Sequence, residues 1–352
     1  MKKKYLKFFK NKRILITGNT GFVGSYVSMS LSLLGAKILG YSLKKDSKNY
    51  ISNFQDYKKK IKTIYDDINN ITIHKNTIQK FNPQILIHLA SQPLVFKSYF
   101  DTTGTFDTNV MGTVKLFELI KKLKSLRNIL VFTSDKVYRN SNNKILTEDS
   151  HLGGVDPYSS SKSAQDIIAQ SYKDSFFKNN KNIFIVRAGN IIGGGDWEKS
   201  RLVPDLFVSI SKKKNMILRN HKAIRPWQHI LNITDAILLL LSEKSKILSS
   251  QSIIYNIGPN NKKKITVQSL IKKFIKKSEF NNIKLNYKKI NFIEKKILFL
   301  SSSKFFKDLS WKPTINLDES IKLTADWYFK FFRNKKKIFL FTENQIKKFL
   351  GL

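Results

Sequence analysis

An α/β fold, a Rossmann-type doubly wound parallel sheet with a smaller interleaved substrate-binding lobe, is predicted by three observations. Short apolar runs alternate with helical patterns from the N-terminus to Gly189. The first run, ILIT (14–17), opens into a glycine-rich turn, GNTGFVG, and then an apolar-periodic segment. The fifth run closes on Thr133, Ser134, Asp135 and Lys136, and Tyr158 and Lys162 follow one helical turn apart. Ligands of such sheets lie outside the strand C-termini, so these polar groups fall where a site is expected.

The elements follow in order. The helix after GNTGFVG runs to Leu34, and Gly35 suits the position after a helix C-terminus. AKILGYS (36–42) is the second strand, followed by a polar, Lys-rich stretch over 44–60. KTIYDDI (62–68) holds the third strand, and Pro83 introduces the fourth, ILIHLA (85–90). A long helical pattern over 104–124 leads to the fifth strand at 129–134. Residues 160–178 read as helix and IFIVRAG (183–189) as the sixth strand. Strand–helix alternation argues for a parallel sheet covered on both faces.

Beyond Gly189 the elements shorten. The expected division is a dinucleotide-binding domain over 1–189, rejoined by a helix within about 232–250. A substrate-binding lobe takes 190–231 and 251–330, and a helical tail takes 331–352.

Composition restricts the function classes. The chain of 352 residues is long enough for a large core, and 41% hydrophobic content argues against general disorder. The net charge of +39 would ordinarily suggest a polyanionic partner. Here the excess is nearly all lysine, since only eight of the 64 basic residues are arginine. The lysine runs are spread along the chain beside abundant Ile, Asn and Phe, whose codons are AT-rich. Base composition is the leading reading, and electrostatic steering towards anionic substrates or RNA the lesser one. No RNA-reading motif stands out, so no specific nucleic-acid partner is expected. The absence of cysteine excludes disulfides and thiolate metal sites, and no metal is expected. The start lacks an unbroken apolar leader segment, and no run approaches a membrane span. The expectation is a soluble cytoplasmic protein.

The motifs carry more. Gly18, Gly21 and Gly24, with Phe22 and Val23 between them, allow a pyrophosphate to approach backbone at a helix N-terminus. An acidic residue usually ends the second strand to bind ribose hydroxyls, yet the sequence there is Gly40 to Lys44. NAD and NADP are therefore not separated by these residues. Asp67 and Ile68 follow the third strand, where an adenine edge could lie, although Asp67 suits a helix N-cap equally well. Leu89, Ala90 and Ser91 leave room over the sheet edge, whereas His88 reads as a buried strand residue. Tyrosine is too weak an acid to serve as a base near neutrality, and a lysine one turn away stabilises its phenolate. In RAGNIIGGGDW (187–197) and IRPWQHI (224–230), arginine forks suited to diphosphates accompany glycine-rich loops.

With these residues in hand, the chain resembles the extended short-chain dehydrogenase/reductases, specifically the CDP-glucose 4,6-dehydratase group, from about Phe8 to Trp327. The most specific markers are TSDK-x-Y (133–138), GG-x-DPYS-x-SK (153–162), RAGNIIGGGDW, RL-x-PD (201–205), IRPWQH and YN-x-GP (255–259). Related dTDP-glucose enzymes carry Thr-Asp-Glu where this chain has Ser134, Asp135 and Lys136. The resemblance implies NAD as cofactor and an internal hydride transfer from sugar C4 to C6. Tyr158, with Lys162 and Ser134, would take the 4-hydroxyl proton. Water would be lost across C5–C6 with Asp135 as acid, and the cofactor would end unchanged. Lys136 would be either the C5 base or a cation that stabilises the enolate. The implied substrate contacts are Gln92, Asn190, Asp196, Arg201, Leu202, Arg219, Arg225 and Asn256. A homodimer packed through helices is implied likewise. A dehydratase or 4-epimerase acting on a dTDP-, GDP- or UDP-linked sugar is the alternative. A polyanion binder on an inactive Rossmann fold is the remote one.

Overall fold

The computed structural model describes residues 2–139, 145–177, 181–243, 253–259, 264–277, 283–288 and 297–352. Residues 244–252, at the end of the expected interleaved segment, and Lys262 and Lys263 of one lysine run lie outside the described residues.

The strands of the main sheet are β1 (Arg13–Thr17), β2 (Lys37–Ser42), β3 (Lys62–Tyr65), β4 (Ile85–His88), β5 (Asn128–Ser134) and β6 (Asn182–Ala188). Three short strands follow, β7 (Ile191–Ile192), β8 (Met216–Arg219) and β9 (Gln228–His229), and then β10 (Ile253–Ile257) and β11 (Leu285–Lys288). The sheet has seven strands in the order β10-β6-β5-β4-β1-β2-β3, every pairing parallel. Strand order reverses between β1 and β4, which opens a crevice at their C-terminal ends. β7 pairs with β9, and β8 with β11, as small parallel ribbons beside that edge.

One expected boundary differs. Residues 253–257, expected in the lobe, form the seventh strand of the main sheet, β10, in register with β6. The sequence IIYNI has the apolar character of a buried strand, and the open edge of β6 would otherwise leave backbone groups unpaired. The C-terminal segment also does more than trail behind the lobe. The helix Ile338–Leu350 packs on the first helix after the glycine turn, Phe22–Leu33, with Ile346 and Leu350 buried. The helix Ile230–Ser242 packs on that same helix.

Two apolar layers cover the sheet. One joins Ile14, Ile16, Val186 and Tyr255 to Val27, Leu31, Ile237 and Trp327. The other joins Leu15, Leu86, Val131 and Ile185 to Leu116, Phe117 and Ile120. Strands buried on both faces read as continuous apolar runs, which is why the strand segments were legible. The YSSSK helix, Pro157–Tyr172, starts where local chemistry dictates. Pro157 occupies its first turn, and Asp156 accepts from the Ser159 amide at 2.9 Å as its cap.

An aromatic cluster ties the C-terminal helices to the glycine loop 193–195. Trp197 stands 4.6 Å from Phe331 and 6.2 Å from Trp327, centroid to centroid. The Trp327 indole donates to Thr342 Oγ1 at 2.7 Å. A Cβ on Gly194 would lie 1.9 Å from Trp327 Cγ, so the loop can pass only without a side chain. Gly194→Ala is expected to destabilise the protein by about 1–3 kcal/mol through overpacking. The check is a lower urea midpoint at unchanged slope.

Candidate active site

The C-terminal edge of the sheet carries a cleft of roughly 490 Å³. Its lining is built in turn from the ends of β1, β2, β4, β5 and β6 and from the loops beyond β6. Gly18, Gly21, Phe22, Val23 and Gly24 of the glycine turn, with Asp67, Ile68, Leu89, Ala90 and Ser91, line it. So do Ser134, Asp135, Lys136, Tyr158 and Lys162, and so do Asn190, Asp196, Arg201, Leu202, Arg219 and Arg225.

Two expected substrate residues do not reach the cleft. Gln92 spends its side chain on its own turn and on the helix Thr102–Phe106: its amide donates to Leu94 O and Thr105 Oγ1, and its oxygen accepts from the Leu94 amide. Asn256 is fully buried on the edge strand β10, accepting from the Tyr138 hydroxyl and donating to Leu146 O. Both are corrections to the expected set, because each amide is buried outside the cleft lining and engaged by groups of the protein itself. Arg187, weighed beside the lobe arginines, is likewise structural. It makes a buried two-point pair with Asp166, at 2.7 and 2.8 Å.

The reactive groups come from two elements. β5 ends at Ser134, and one 3-10 turn, Asp135–Val137, follows; Ser134 Oγ caps it by accepting from the Lys136 amide at 3.2 Å. That turn breaks the alternation of a strand, so Asp135 and Lys136 can both line the cleft. Ser134 Oγ donates to Asp135 Oδ1 at 3.1 Å, and Asp135 is 2% exposed. Lys136 Nζ stands 6.0 Å from the centroid of the Tyr158 ring. The helix Pro157–Tyr172 supplies the rest. Burial pushes the Tyr158 phenol up to about 12, against a hydrogen bond with Ser134 that pulls it down. Burial brings the Lys162 amine down to about 7, with the Asp166 carboxylate acting in the opposite sense. Lys162 Nζ donates to the Phe132 carbonyl of β5 at 2.8 Å.

Beyond β6, Asp196 and Arg201 pair at 3.0 Å. The hydroxyl of Tyr328 donates to the Asp196 carbonyl, anchoring this loop to the C-terminal helices. Arg225 is 5% exposed, and its Nη1 donates to Ile224 O. Arg219 lies 5.5 Å over the Phe96 ring.

Sequence reasoning missed a bridge at the mouth of the cleft. Lys45 and Tyr50, after β2, both reach Glu198, at 3.3 and 3.2 Å. Neither carries a motif, and no spacing signals a contact between loops so far apart in sequence. Among the described residues no group of acidic or histidine side chains could hold a metal ion. No described helix is long and apolar enough to cross a membrane.

Strand order, the reversal under the glycine turn and the Tyr–Lys pair against β5 are those of the Rossmann-type short-chain dehydrogenase/reductase fold. The fold of the Bacillus anthracis dTDP-glucose 4,6-dehydratase, solved in complex with NAD, matches with a TM-score of 0.77 at 23% identity, over 93% of this chain and 99% of that one. The profile of the GDP-mannose 4,6 dehydratase family matches residues 15–324. The CDP-glucose 4,6-dehydratase of Salmonella typhimurium is 33% identical over 328 residues, 91% of each chain. The human dTDP-D-glucose 4,6-dehydratase is 26% identical over 93% of each. The chain belongs to the nucleotide-sugar 4,6-dehydratase family.

The depressed Lys162 amine has a measurable consequence. Its ordinary value is 10.5 and its folded value about 7. Between those limits the unfolded chain holds a proton that the folded chain lacks, so folding stability rises with pH across that window. Wild type is therefore expected to gain on the order of a few kcal/mol relative to Lys162→Met as pH rises from about 7 towards 10. Paired chemical denaturation curves across that range provide the check.

Proposed function

We propose that the protein converts CDP-D-glucose to CDP-4-dehydro-6-deoxy-D-glucose and water, with NAD in the cleft. The observation that carries this reading is the placing of Ser134, Asp135 and Lys136 against Tyr158 at the end of β5. A Tyr–Lys pair alone would serve simple oxidation or epimerisation; the acid and amine beside it are what elimination requires. The greater identity to the CDP-glucose enzyme than to the dTDP-glucose enzyme supports the nucleotide.

The cradle suits a dinucleotide. Gly18 has φ +74°, and a Cβ there would fall 2.7 Å from the Ala90 amide nitrogen. A Cβ on Gly24 would strike the Gly18 carbonyl at 2.1 Å, so helix and turn close up only with glycine. The turn and the start of helix Phe22–Leu33 would hold the pyrophosphate, with Asp67 and Ile68 at the adenine. Lys45, which lines the cleft after β2, is engaged by Glu198 and lies over Tyr50, and this supports NAD over its 2′-phosphorylated form. Bound there, NAD supplies a hydride acceptor at C4 and a hydride donor at C6.

The protein's own groups handle the protons. Tyr158 accepts the proton of the sugar 4-hydroxyl as that carbon becomes a ketone, and Lys162 and Ser134 stabilise the phenolate. The ketone acidifies the C5 hydrogen. Lys136 takes up the C5 proton and later returns it, Asp135 protonates the departing C6 hydroxyl, and water leaves as the C5–C6 double bond forms. Hydride at C6 and a proton at C5 complete the product. Asp196, Arg201 and Arg225 hold the diphosphate and sugar, with Arg219 and Asn190 beside them. The same proposal includes a homodimer in the cytoplasm. Exposed Met111 and Ile167 on neighbouring helices support the pairing, and a cysteine-free chain suits a reducing compartment.

Incubation with NAD and each of CDP-, dTDP-, GDP- and UDP-glucose tests the reading. A 4-keto-6-deoxy product from CDP-glucose is expected, and a product from another nucleotide in its place overturns the base assignment. Asp135→Asn is expected to lower turnover by about 10²–10⁴-fold. In Lys136→Glu, borohydride should trap 4-ketoglucose while 6-deoxy product falls; equal loss of both would remove Lys136 from the elimination step.

A further inference from the structure

Behind the Tyr–Lys pair lies a buried polar chain to which nothing above assigns a role. We propose that Gln165, one turn after Lys162, is a positioning residue. Its amide, oriented by Thr113, turns its oxygen onto the Lys162 amine and fixes that amine as a hydrogen-bond donor beside Tyr158.

The orientation follows from counting protons. Thr113 donates its hydroxyl proton to the Asn109 carbonyl at 2.7 Å. It can therefore only accept from Gln165 Nε2, 2.9 Å away. Gln165 Nε2 also lies 3.1 Å from His88 Nε2. The same ring nitrogen lies 3.0 Å from Thr113 Oγ1, so the imidazole borders both partners of that contact and the Thr113 hydroxyl alone orients the amide. The other ring nitrogen, Nδ1, lies 2.7 Å from Thr17 Oγ1 at the end of β1. Burial, with the Lys162 charge beside it, pushes His88 down to about 3, which keeps the ring neutral. With its nitrogen donating to Thr113, Gln165 turns Oε1 to Lys162 Nζ, which donates to it. The Phe132 carbonyl takes a second proton of the amine. Gln165, His88 and Thr113 are all buried, so water does not compete.

The charged and titratable groups that face Lys162 are Asp166 on its own helix and His88 on β4, and Tyr158, Asp135 and Lys136 line the same cleft. Arg187 already holds both oxygens of Asp166. The Gln165 oxygen is thus a neutral acceptor aimed at the amine, and it favours the charged form without opposing the Tyr158 phenolate with a negative charge.

The inference deepens the reading of Tyr158 and Lys162 as the proton-moving pair, and its test separates the two. The Lys162 side chain is titrated by NMR in labelled full-length protein with NAD, its signal assigned by its loss in Lys162→Met. Gln165→Met keeps the volume and removes the acceptor. It is expected to lower the proton affinity of Lys162 about tenfold. The acid limb of kcat should move to higher pH with KM unchanged, since a less charged Lys162 leaves Tyr158 harder to ionise. On a Lys162→Met background, Gln165→Met should leave the residual rate unaltered. If Gln165→Met does not fold, Thr113→Val releases one anchor of the amide and should shift Lys162 in the same direction by less. An unchanged Lys162 titration in the folded variant overturns the inference. A shifted titration in a protein inactive on all four sugar nucleotides overturns the functional reading and leaves the inference standing.

Discussion

A lysine amine can be buried at the end of a sheet only if acceptors meet it there, and that requirement organises this site. Lys162 is 2% exposed and finds the Phe132 carbonyl, near the end of β5. The bond sets the rotation of the helix Pro157–Tyr172 about its axis. Once that is set, Tyr158, four residues earlier on the same face, must look over the end of β5 at Ser134. The loops beyond β6 can then add their arginines only from the remaining side of the cleft. The parallel sheet supplies the common edge, and the buried amine fixes how the helix meets it.

The turn after β5 solves a second problem. Consecutive residues on a strand point to opposite faces, which would separate Asp135 from Lys136. The 3-10 turn capped by Ser134 ends the alternation one residue before it would matter. A carboxyl and an amine are thereby brought into one cleft within two residues of the strand, and Tyr158 stands between them and the helix.

Much of this was legible beforehand. Buried parallel strands are unbroken apolar runs, so Ile14 to Ile16 and Ile129 to Val131 announce themselves. The glycines at 18, 21 and 24 and the 158/162 spacing are motifs whose meaning is local, and local meaning survives without coordinates. What could not be read depends on long-range partners. Asn256 belongs to a motif-like run, but its side chain is consumed by Tyr138 and Leu146, far from it in sequence. Gln92 follows a strand end as a ligand residue would, yet its amide is taken by its own turn and by Thr105. The strand 253–257 sits among short elements that resemble the lobe, and only pairing with β6 reveals its place. The Lys45–Glu198 bridge has no pattern at all.

The late arrival of β10 and of the final helix bears on how the chain is made. The sheet lacks its edge until residue 257 has emerged, and the apolar surface of the helix Phe22–Leu33 lacks one of its covers until residues 338–350 follow. During synthesis the N-terminal half therefore leaves the ribosome with an open strand edge on β6 and an uncovered apolar helix. Both are adhesive features, and contacts so distant in sequence form slowly. A nascent chain stalled before its final helix would be a substrate for chaperones instead of a smaller working domain.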